Sequence, residues 1–371
     1  MSKKYKVAIA AAGTAGHINP GLAIAKQILK QRNDTEIFFI GTDRGLENEL
    51  VPNAGLRLRK IEAYGFSITP TPENIRRQYI NFFVSKKMAE KVLKEENVDI
   101  VIGTGGYITS AVGRAAIALN IPLFMHESNA YPGLAIRSLN KKATKILLGF
   151  EKSKEFFKYK DNVEYVGNPI NLKRVSVDKK KVLESLGLVE NKKTILVFGG
   201  SQGAKKINDA IVPLIKKGYF NEFQLIFATG KNNYDGIINE IEYISKFKNI
   251  KILPYIYNME EIINSCDIAI TRAGAMTVSE ILEVAIPTIF IPLPSQKANR
   301  QIDNAKTLEN IGGAKIIKNE DLTADSLEEM LNYILKDNER LNIMKNNILN
   351  RHFENNSLEK IYENIEKYFN K

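Results

Sequence analysis

The chain has 371 residues, more than one hydrophobic core usually organises, so its length predicts two domains. Hydrophobic residues make up 44% and charged residues 26%, which is an ordinary globular composition and excludes disordered, collagen-like and coiled-coil proteins. The 53 Lys and Arg residues outnumber the 42 Asp and Glu residues, which favours an anionic partner: nucleic acid, an anionic membrane surface or a phosphorylated substrate.

Short apolar segments alternate with longer amphipathic segments along the chain, which is typical of parallel sheets built from strand and helix units. The first half predicts strands at 5–12, 36–40, 98–103, 121–126 and 145–148. The second half predicts strands at 193–199, 224–229, 250–253, 266–271, 288–292 and 314–317. Each series opens with a strand that runs into a glycine loop, so we expect two Rossmann-like lobes.

We place the domain boundary in the Val-Gly-Asn-Pro segment that begins at Val166, which gives domains at 1–166 and 167–349. The final helical segment, 350–371, is expected to pack back on the first lobe. No apolar run reaches the roughly 20 residues of a transmembrane span, and no signal segment precedes the first strand, so we expect the chain to stay inside the cell. The single cysteine, Cys266, leaves no partner for an internal disulfide or a zinc cluster.

Three glycine loops follow predicted strands, where backbone N–H groups and helix N termini attract anions. In the first loop, 12–21, we expect Asn19 to cap the next helix and Pro20 to lie in its first turn. This loop lacks the complete dinucleotide and P-loop fingerprints, which disfavours a plain NAD or ATP site. The second loop, 198–204, precedes a helix from about Lys205 and is either a phosphate site or only a tight turn.

The third loop, 271–280, carries a cation, a glycine and hydroxyl groups ahead of a helix. The spacing of Thr277 and Glu280 suits a capping box, so Glu280 is either a helix cap or an acceptor for ribose hydroxyls. Among the three histidines, His352 is expected at the surface. His17 and His126 lie at predicted strand ends and satisfy a loop backbone or take part in chemistry, and the loop position of His17 favours chemistry.

Seven motifs occur in a fixed order along nearly the whole chain. They are Gly13–His17 with Asn19–Gly21, Gly105–Tyr107, His126–Asn129, Val166–Pro169, Gly199–Ala204, Ala275–Glu280, and Asn299–Gln301 with Asn304–Ala305. Together they closely resemble the MurG family of bacterial peptidoglycan N-acetylglucosaminyltransferases.

The resemblance implies an α/β protein with the GT-B fold, in which two Rossmann-like parallel-sheet lobes face a cleft. It implies transfer of GlcNAc from UDP-GlcNAc to the C4 hydroxyl of MurNAc in undecaprenyl-diphosphate-MurNAc-pentapeptide, which converts lipid I to lipid II. Domain 1–166 then binds the acceptor and faces the membrane, and domain 167–349 binds UDP-GlcNAc. No cofactor is implied.

The resemblance also implies a set of substrate contacts, and Thr14, Ala15, Gly16 and Asn129 of the first lobe are among those expected to contact UDP-GlcNAc. The full set is Thr14, Ala15, Gly16, Asn129, Asn171, Ser201, Gln202, Ile256, Arg272, Ala275, Met276, Thr277, Val278, Ser279, Glu280 and Gln301. In this correspondence the Ile256 backbone binds uracil, Ser201 faces the diphosphate and Glu280 binds ribose.

Two positions depart from the family pattern. Ala15 stands where many relatives have a second glycine, a mild change if this residue avoids positive φ. Asn171 stands where relatives usually have an arginine, and Lys173 or Arg174 is the candidate substitute.

The implied reaction inverts the anomeric centre, so one in-line displacement suffices and a base must take the proton of the acceptor hydroxyl. His17 is our first choice for this base and Glu127 our second. The leaving UDP is stabilised by N–H donors around Ser201 and Gln202, by the helix beginning near Thr277, and by Arg272. The chain contains no Asp-x-Asp triplet, so no metal held by such a triplet is predicted.

Ile75, Tyr79, Phe82 and Phe83 lie at helical spacing beside four cations, as in an interfacial membrane helix. The alternative is an ordinary core-facing amphipathic helix. With the family resemblance we expect peripheral contact with the cytoplasmic face of an anionic cell membrane. Cell-wall synthesis and division proteins are the expected protein partners, and nucleic acid is not.

Three other functions compete with this interpretation. A GT-B UDP-sugar transferase acting on a different lipid acceptor is the nearest, and the first glycine loop with the His126-Glu127 motif argues against it. A nucleotide-binding oxidoreductase requires a dinucleotide fingerprint that the sequence lacks. A nucleic-acid-binding protein accounts for the charge and leaves the glycine loops unexplained.

Overall fold

A computed structural model gives the structure of the protein and describes residues 4–65, 71–200, 203–241, 248–294, 300–351 and 356–369. The chain divides into two compact units. We call Met1–Asn171 together with Glu354–Lys371 the N-terminal unit, and Leu172–Phe353 the C-terminal unit.

The N-terminal unit is a parallel sheet with helices on both faces. Its strands are β1 Tyr5–Ala11, β2 Thr35–Gly41, β3 Arg57–Lys60, β4 Ile100–Gly105, β5 Leu123–Glu127, β6 Lys145–Leu148 and β7 Val163–Tyr165. The helices between them are α1 Ala15–Gln31, α2 Glu47–Asn53, α3 Pro72–Tyr79, α4 Ser85–Glu95, α5 Ile108–Ala118 and α6 Leu134–Leu139, with a π-helical turn at Ile80–Val84 and a 3-10 helix at Glu151–Phe156.

The strand order of this sheet is β3-β2-β1-β4-β5-β6-β7. The apolar sequence of β1 is buried on both faces: Val7 and Ile9 join the core on one side of the sheet, and Ala8 and Ala10 join the core on the other. Because the chain leaves β1 toward β2 and later returns on its other side as β4, the order reverses between β1 and β4. Ligands of open α/β sheets bind at such a switch point, beyond the carboxyl ends of the strands.

The C-terminal unit repeats this arrangement. Its strands are β8 Thr194–Phe198, β9 Gln224–Ala228, β10 Ile250–Leu253, β11 Ile268–Thr271, β12 Thr288–Phe290 and β13 Ala314–Ile316. Its helices are α7 Lys179–Ser185, α8 Lys205–Lys216, α9 Tyr234–Glu240, α10 Met259–Asn264, α11 Ala275–Val284, α12 Arg300–Glu309, α13 Ala324–Leu335 and α14 Asn338–Leu349, with 3-10 helices at Tyr219–Asn221 and Lys231–Asn233.

The strand order of the second sheet is β10-β9-β8-β11-β12-β13, and its described pairs are parallel. The order reverses between β8 and β11, so the loops after these two strands meet at the switch point of this unit. These are the second and third glycine loops of the sequence. A core cluster beneath them contains Val197, Ile211 and Ile270, each completely buried.

The final helix, α15 Ser357–Glu366, belongs to the N-terminal unit. Ile361 and Ile365 are buried in the same core as Val7. The ring of Phe369, just beyond the helix, packs edge-on against Tyr5 with 5.3 Å between centroids. The end of the chain thereby covers one face of the first sheet.

The predicted strands are present, with ends shifted by up to two residues. The sequence missed β3 and β7, which form the two edges of the first sheet. Charged residues occupy three of the four positions of β3, and β7 has three residues, Val-Glu-Tyr. Edge strands are often short and charged because such residues oppose pairing with other chains, and they then lack the apolar run that marks a buried strand.

Candidate active site

The first glycine loop ends earlier than the sequence predicted. Helix α1 begins at Ala15, with Thr14 as an extended N-cap whose carbonyl accepts the N–H of His17 at 3.0 Å. The prediction that Asn19 caps the helix is therefore wrong, and Pro20 lies inside the helix rather than in its first turn. Proline cannot donate an N–H to the carbonyl four residues earlier and is best tolerated in the first turn of a helix. The sequence therefore predicted that the helix starts later than it does.

His17 consequently lies in the first turn of α1, at the switch point of the N-terminal unit. The hydroxyl of Thr104, at the end of β4, donates to the His17 carbonyl at 2.7 Å. The imidazole packs against Gly105, where any Cβ would overlap the ring, and Gly105 also has a positive φ of 121°. Glycine is required at this position for both reasons.

The substrate contacts expected in this loop differ in exposure. Thr14 and Gly16 are exposed, and Ala15 is half-buried as the first residue of α1. Ala15 does not adopt a positive φ, so alanine fits here without backbone strain where relatives have glycine.

His126, at the end of β5, holds two loops together. It is buried, with Nε2 3.1 Å from the Gly167 carbonyl and Nδ1 3.3 Å from the Ser128 hydroxyl. Burial lowers the pKa of His126 to about 4, so the ring is neutral at pH 7. These contacts favour the interpretation in which His126 satisfies loop backbone.

Glu127 organises the loop that follows β5. Its Oε1 accepts the backbone N–H of Asn129 at 2.9 Å and the Asn129 side-chain amide at 3.1 Å, and its Oε2 accepts the N–H of Gly133 at 2.6 Å. The Ser153 hydroxyl donates to the Asn129 carbonyl at 2.8 Å. Asn129, an expected substrate contact, is thus held in place by a buried carboxylate.

Asn171 is exposed at the end of the N-terminal unit. Of the candidate substitutes for the family arginine, Lys173 donates its backbone N–H to Glu260 at 2.9 Å, and Arg174 donates its backbone N–H to Glu283 at 3.5 Å. These contacts use main-chain atoms, and both side chains start from an exposed segment of the C-terminal unit.

The second glycine loop is a turn that tolerates only glycine at several positions. Gly200 and Gly203 have positive φ angles of 86° and 74°, and a Cβ on Gly203 would overlap the Thr229 carbonyl. Helix α8 begins at Lys205, as predicted. Ser201 and Gln202, the expected phosphate contacts, lie outside the described residues, as does His352.

The third glycine loop leads into α11, which begins at Ala275 with Gly274 as its N-cap. Thr277 is the third residue of the helix and Glu280 lies in the second turn, so the capping-box interpretation of Glu280 is wrong. The helix also begins two residues before the predicted start near Thr277. Among the described residues, no acceptor is bonded to the N–H groups of Ala275, Met276 and Thr277, the kind of donors that bind phosphate at a helix N terminus.

Glu280 is half-buried on α11 and has no hydrogen-bond partner among the described residues. Burial raises the pKa of Glu280 to about 7. A desolvated carboxylate without donors is suited to accept hydroxyl groups of a ligand. Val278 and Ser279, on the same helix, are buried in the unit.

The loops around α11 are linked by the side chains of Arg272, Asn319 and Asn304. Nη1 of Arg272 donates to the Ile291 carbonyl at 3.0 Å and to Asn319 Oδ1 at 2.7 Å. The side-chain amide of Asn304, which is completely buried, donates to the Ala273 carbonyl at 3.2 Å. Burial lowers the pKa of Arg272, which nevertheless remains a cation at pH 7.

Two further expected contacts lie elsewhere in this unit. Oε1 of Gln301, on α12, accepts the N–H of Leu293 at 2.8 Å. Ile256, expected to bind uracil through its backbone, has a buried side chain. Over the described part of the chain, no group of three or more His, Cys, Asp or Glu residues is arranged to hold a metal ion.

The predicted membrane residues form an exposed cluster in the N-terminal unit. Ile75, Tyr79, Phe82 and Phe83, which we call the apolar patch, are 59%, 60%, 58% and 51% exposed. Two of the residues, Phe82 and Phe83, lie in the π-helical turn, and their rings are 5.1 Å apart. The exposure excludes the core-facing alternative. None of the described helices has the length and apolar character needed to cross a bilayer.

The sequence reasoning missed Glu47, a completely buried carboxylate beside the first glycine loop. Its signal was weak: an acidic residue at the start of a short helix, after the glycine-flanked turn that runs from Gly41 to Gly45. Acidic residues are common at such positions because the helix dipole favours them.

Comparison with known proteins agrees with both halves of the fold. Residues 7–148 match the glycosyltransferase family 28 N-terminal domain, and residues 194–362 match the glycosyltransferase family 28 C-terminal domain. A protein of Acetivibrio thermocellus named UDP-N-acetylglucosamine--N-acetylmuramyl-(pentapeptide) pyrophosphoryl-undecaprenol N-acetylglucosamine transferase is 40% identical to this chain, over 97% of each. A Listeria monocytogenes protein of the same name is 36% identical over 92% of this chain and 93% of that protein.

The chain belongs to the MurG family. The crystal structure of Acinetobacter baumannii MurG superposes with a TM-score of 0.78 at 26% identity, covering 98% of this chain and 99% of that one. A UDP co-structure of S. aureus MnaA, 15% identical with a TM-score of 0.66, shares the fold. MurG-family membership and these neighbours confirm the predicted GT-B fold with two Rossmann-like sheets and identify the chain as a glycosyltransferase.

Proposed function

We propose that this chain transfers GlcNAc from UDP-GlcNAc to the C4 hydroxyl of MurNAc in undecaprenyl-diphosphate-MurNAc-pentapeptide, converting lipid I to lipid II in peptidoglycan synthesis. The names of its full-length relatives support this reaction. The observation that carries the proposal is the switch point of the C-terminal unit, where the N terminus of α11 and the carboxylate of Glu280 have no bonded partners among the described residues.

The C-terminal unit binds the donor in this proposal. The N–H groups of Ala275, Met276 and Thr277, at the positive end of a helix dipole, bind the diphosphate, and Ser201 and Gln202 add donors from the second glycine loop. Glu280 accepts the ribose hydroxyls, and the Ile256 backbone binds uracil. Arg272 adds positive charge at the same edge of the sheet, which stabilises UDP as it leaves.

The N-terminal unit supplies the base. The acceptor oxygen bonds to the anomeric carbon while the bond from that carbon to UDP breaks, and His17 takes the hydroxyl proton. A histidine suits this step because its ordinary pKa, about 6.5, lies near the working pH. Glu127 remains the second candidate, although its three backbone and amide donors favour a role in holding Asn129.

In this proposal the N-terminal unit lies on the cytoplasmic face of the membrane, where the lipid-linked acceptor is anchored, and the exposed apolar patch supports this orientation. Its four large side chains insert between lipids, and Arg76, Arg77, Lys86 and Lys87 attract anionic headgroups. Arg114 lies over the ring of Phe82, 4.2 Å from its centroid, which adds a fifth cation beside the patch.

Calorimetry followed by a transfer assay tests the proposal. We expect UDP-GlcNAc to bind more tightly than UDP-GalNAc, and radiolabelled GlcNAc to appear on a lipid I analogue. A parallel assay offers diacylglycerol as acceptor. Transfer to diacylglycerol and not to the lipid I analogue would contradict the proposed acceptor, and absence of UDP-GlcNAc binding would contradict the proposed donor.

A further inference from the structure

The N–H and the carbonyl of Gly13 are both held by residues at the start of α2. Oε2 of Glu47 accepts the Gly13 N–H at 2.9 Å, and the Gly13 carbonyl accepts the N–H of Leu46 at 3.2 Å. Gly13 has a positive φ of 98°, so the loop turns sharply at this residue. The contacts lie within the N-terminal unit and fix the loop from a segment more than thirty residues away in sequence.

The other oxygen of Glu47 is equally engaged. Oε1 accepts the Thr42 N–H at 3.0 Å and the Thr42 hydroxyl at 2.7 Å. A Cβ on Gly45 would overlap Oε2, so glycine at this position admits the carboxylate. Burial raises the pKa of Glu47, but the hydrogen bonds from Gly13 and Thr42 outweigh it, and the net shift is downward. Glu47 is therefore a buried anion at neutral pH.

The Glu47 carboxylate takes a backbone N–H of the first glycine loop, a kind of donor that binds phosphate in many Rossmann-like units. There the first strand-to-helix loop presents its N–H groups to a phosphate of the ligand. Here the carboxylate of the protein's own side chain takes the Gly13 N–H. The turn at Gly13 is therefore held by a carboxylate of the chain itself.

The fixed loop leads directly into the turn that carries His17. Thr14 follows Gly13 and caps α1, and its carbonyl accepts the N–H groups of His17 and Ile18. The opposite side of the His17 turn is held by Thr104 and Gly105. Removing the Glu47 contacts frees one of these two supports and leaves the other in place.

We propose that Glu47 is a positioning residue that substitutes for a bound anion at the Gly13 loop and thereby sets the orientation of His17 for proton transfer. The inference rests on the proposed function, in which His17 is the base. Glu47 does not touch a substrate in this account. It acts through the backbone of Gly13 and Thr14, and a displacement of about 1 Å at the base is enough to lower turnover about 10²-fold.

The test compares three variants of the full chain. Glu47→Ala removes the carboxymethyl group, Glu47→Gln keeps its shape and loses its charge, and Glu49→Gln is the matched control because Glu49 lies exposed on the same helix. For each variant the melting temperature, the UDP dissociation constant, and kcat and KM for UDP-GlcNAc are measured with a lipid I analogue. Acetate, which matches the deleted group, is then added to Glu47→Ala, with acetamide at equal concentration as the neutral control.

We expect kcat of Glu47→Ala to fall about 10²-fold and that of Glu47→Gln about tenfold, with KM for UDP-GlcNAc and the UDP dissociation constant within twofold of wild type. Acetate restores kcat of Glu47→Ala at least fivefold and acetamide does not, while Glu49→Gln matches wild type. A purely structural role instead lowers the melting temperature with kcat per folded molecule unchanged.

Wild-type kcat in the folded Glu47→Gln protein would overturn the inference. A change in KM or UDP affinity as large as the change in kcat would also overturn it, since the effect would then lie in donor binding. A wild-type protein that binds UDP-GlcNAc but transfers nothing to the lipid I analogue contradicts the proposed function instead.

Discussion

The two switch points have the same strand topology but differ in which groups are bonded to their backbone N–H donors. In the N-terminal unit, the Gly13 N–H is taken by the buried carboxylate of Glu47. In the C-terminal unit, no described acceptor is bonded to the first N–H groups of α11, and Glu280 nearby has no donor among the described residues. The carboxylate holds the Gly13 turn of the first loop in place, and the N–H groups of α11 together with Glu280 suit a ligand that brings phosphates and hydroxyls.

The base assigned to the first switch point gives the largest expected effect. His17→Ala should lower turnover at least 10²-fold, because a general base contributes typically 10²- to 10⁴-fold. The UDP dissociation constant, measured by calorimetry, should stay within twofold, since the uracil, ribose and diphosphate are assigned to the other unit. Turnover near that of wild type would transfer the role to Glu127.

The surface of the N-terminal unit carries the apolar patch, which we expect to bind lipid. The double variant Phe82→Ser with Phe83→Ser should weaken binding to phosphatidylglycerol vesicles about 10²-fold, because each phenyl ring contributes about 1.5 kcal/mol when it enters lipid. Sedimentation with vesicles measures this, and transfer to a soluble acceptor should be unaffected. Tyr333→Ser, at an exposed aromatic of the C-terminal unit, is the control. Vesicle binding equal to wild type would reject the patch.

The buried His126 makes the stability of the N-terminal unit sensitive to acid. The pKa of His126 is about 4 in the folded state and 6.5 in the unfolded state. The buried neutral ring therefore contributes its full share of the unfolding free energy above pH 6.5, and this share is lost as the pH falls toward 4. At pH 5 the loss is of order 2 kcal/mol. Urea unfolding of wild type and His126→Gln should show a gap in unfolding free energy that narrows by this amount between pH 7 and pH 5. An equal gap at both pH values would contradict the shift.

Substitution of Glu280 gives the smallest expected effect. The pKa of Glu280 is raised, whereas that of His126 is lowered. The Glu280 pKa, about 7, is above the ordinary value, and the ionised form is the better acceptor for ribose hydroxyls. Glu280→Gln should weaken UDP binding about tenfold at pH 8, and the difference from wild type should shrink toward pH 6 as the wild-type carboxyl is protonated. Both proteins bind the same UDP, so protonation of its phosphate changes both affinities equally and cancels from their ratio. Glu283→Gln, on the same helix, is the control, and a difference independent of pH would argue against this role.

Much of the architecture could be predicted because buried parallel strands are short, apolar runs that end in glycine loops. The core strands β1, β4, β8 and β11 were each found in this way. The edge strands β3 and β7 were missed, since charge at an edge hides the apolar signal.

The site was less predictable because its key groups act through contacts distant in sequence. The partners of Glu47 are Gly13 and Thr42, and no local pattern shows that the carboxylate turns inward. The starts of α1 and α11 were placed too late, since Pro20 and the Thr277–Glu280 spacing both imitate helix starts. The family motifs identified the candidate ligand contacts, and the structure showed which residues hold those contacts in position.

In this account the second switch point binds the sugar nucleotide, while the Glu47 carboxylate holds the Gly13 N–H at the first. A crystal structure of the chain soaked with UDP-GlcNAc tests this most directly. We expect density for the diphosphate at the N terminus of α11, with a ribose hydroxyl within hydrogen-bond distance of Glu280 and the contact between Gly13 and Glu47 intact. Diphosphate density at the Gly13 loop, with Glu47 displaced and α11 unoccupied, would contradict the account.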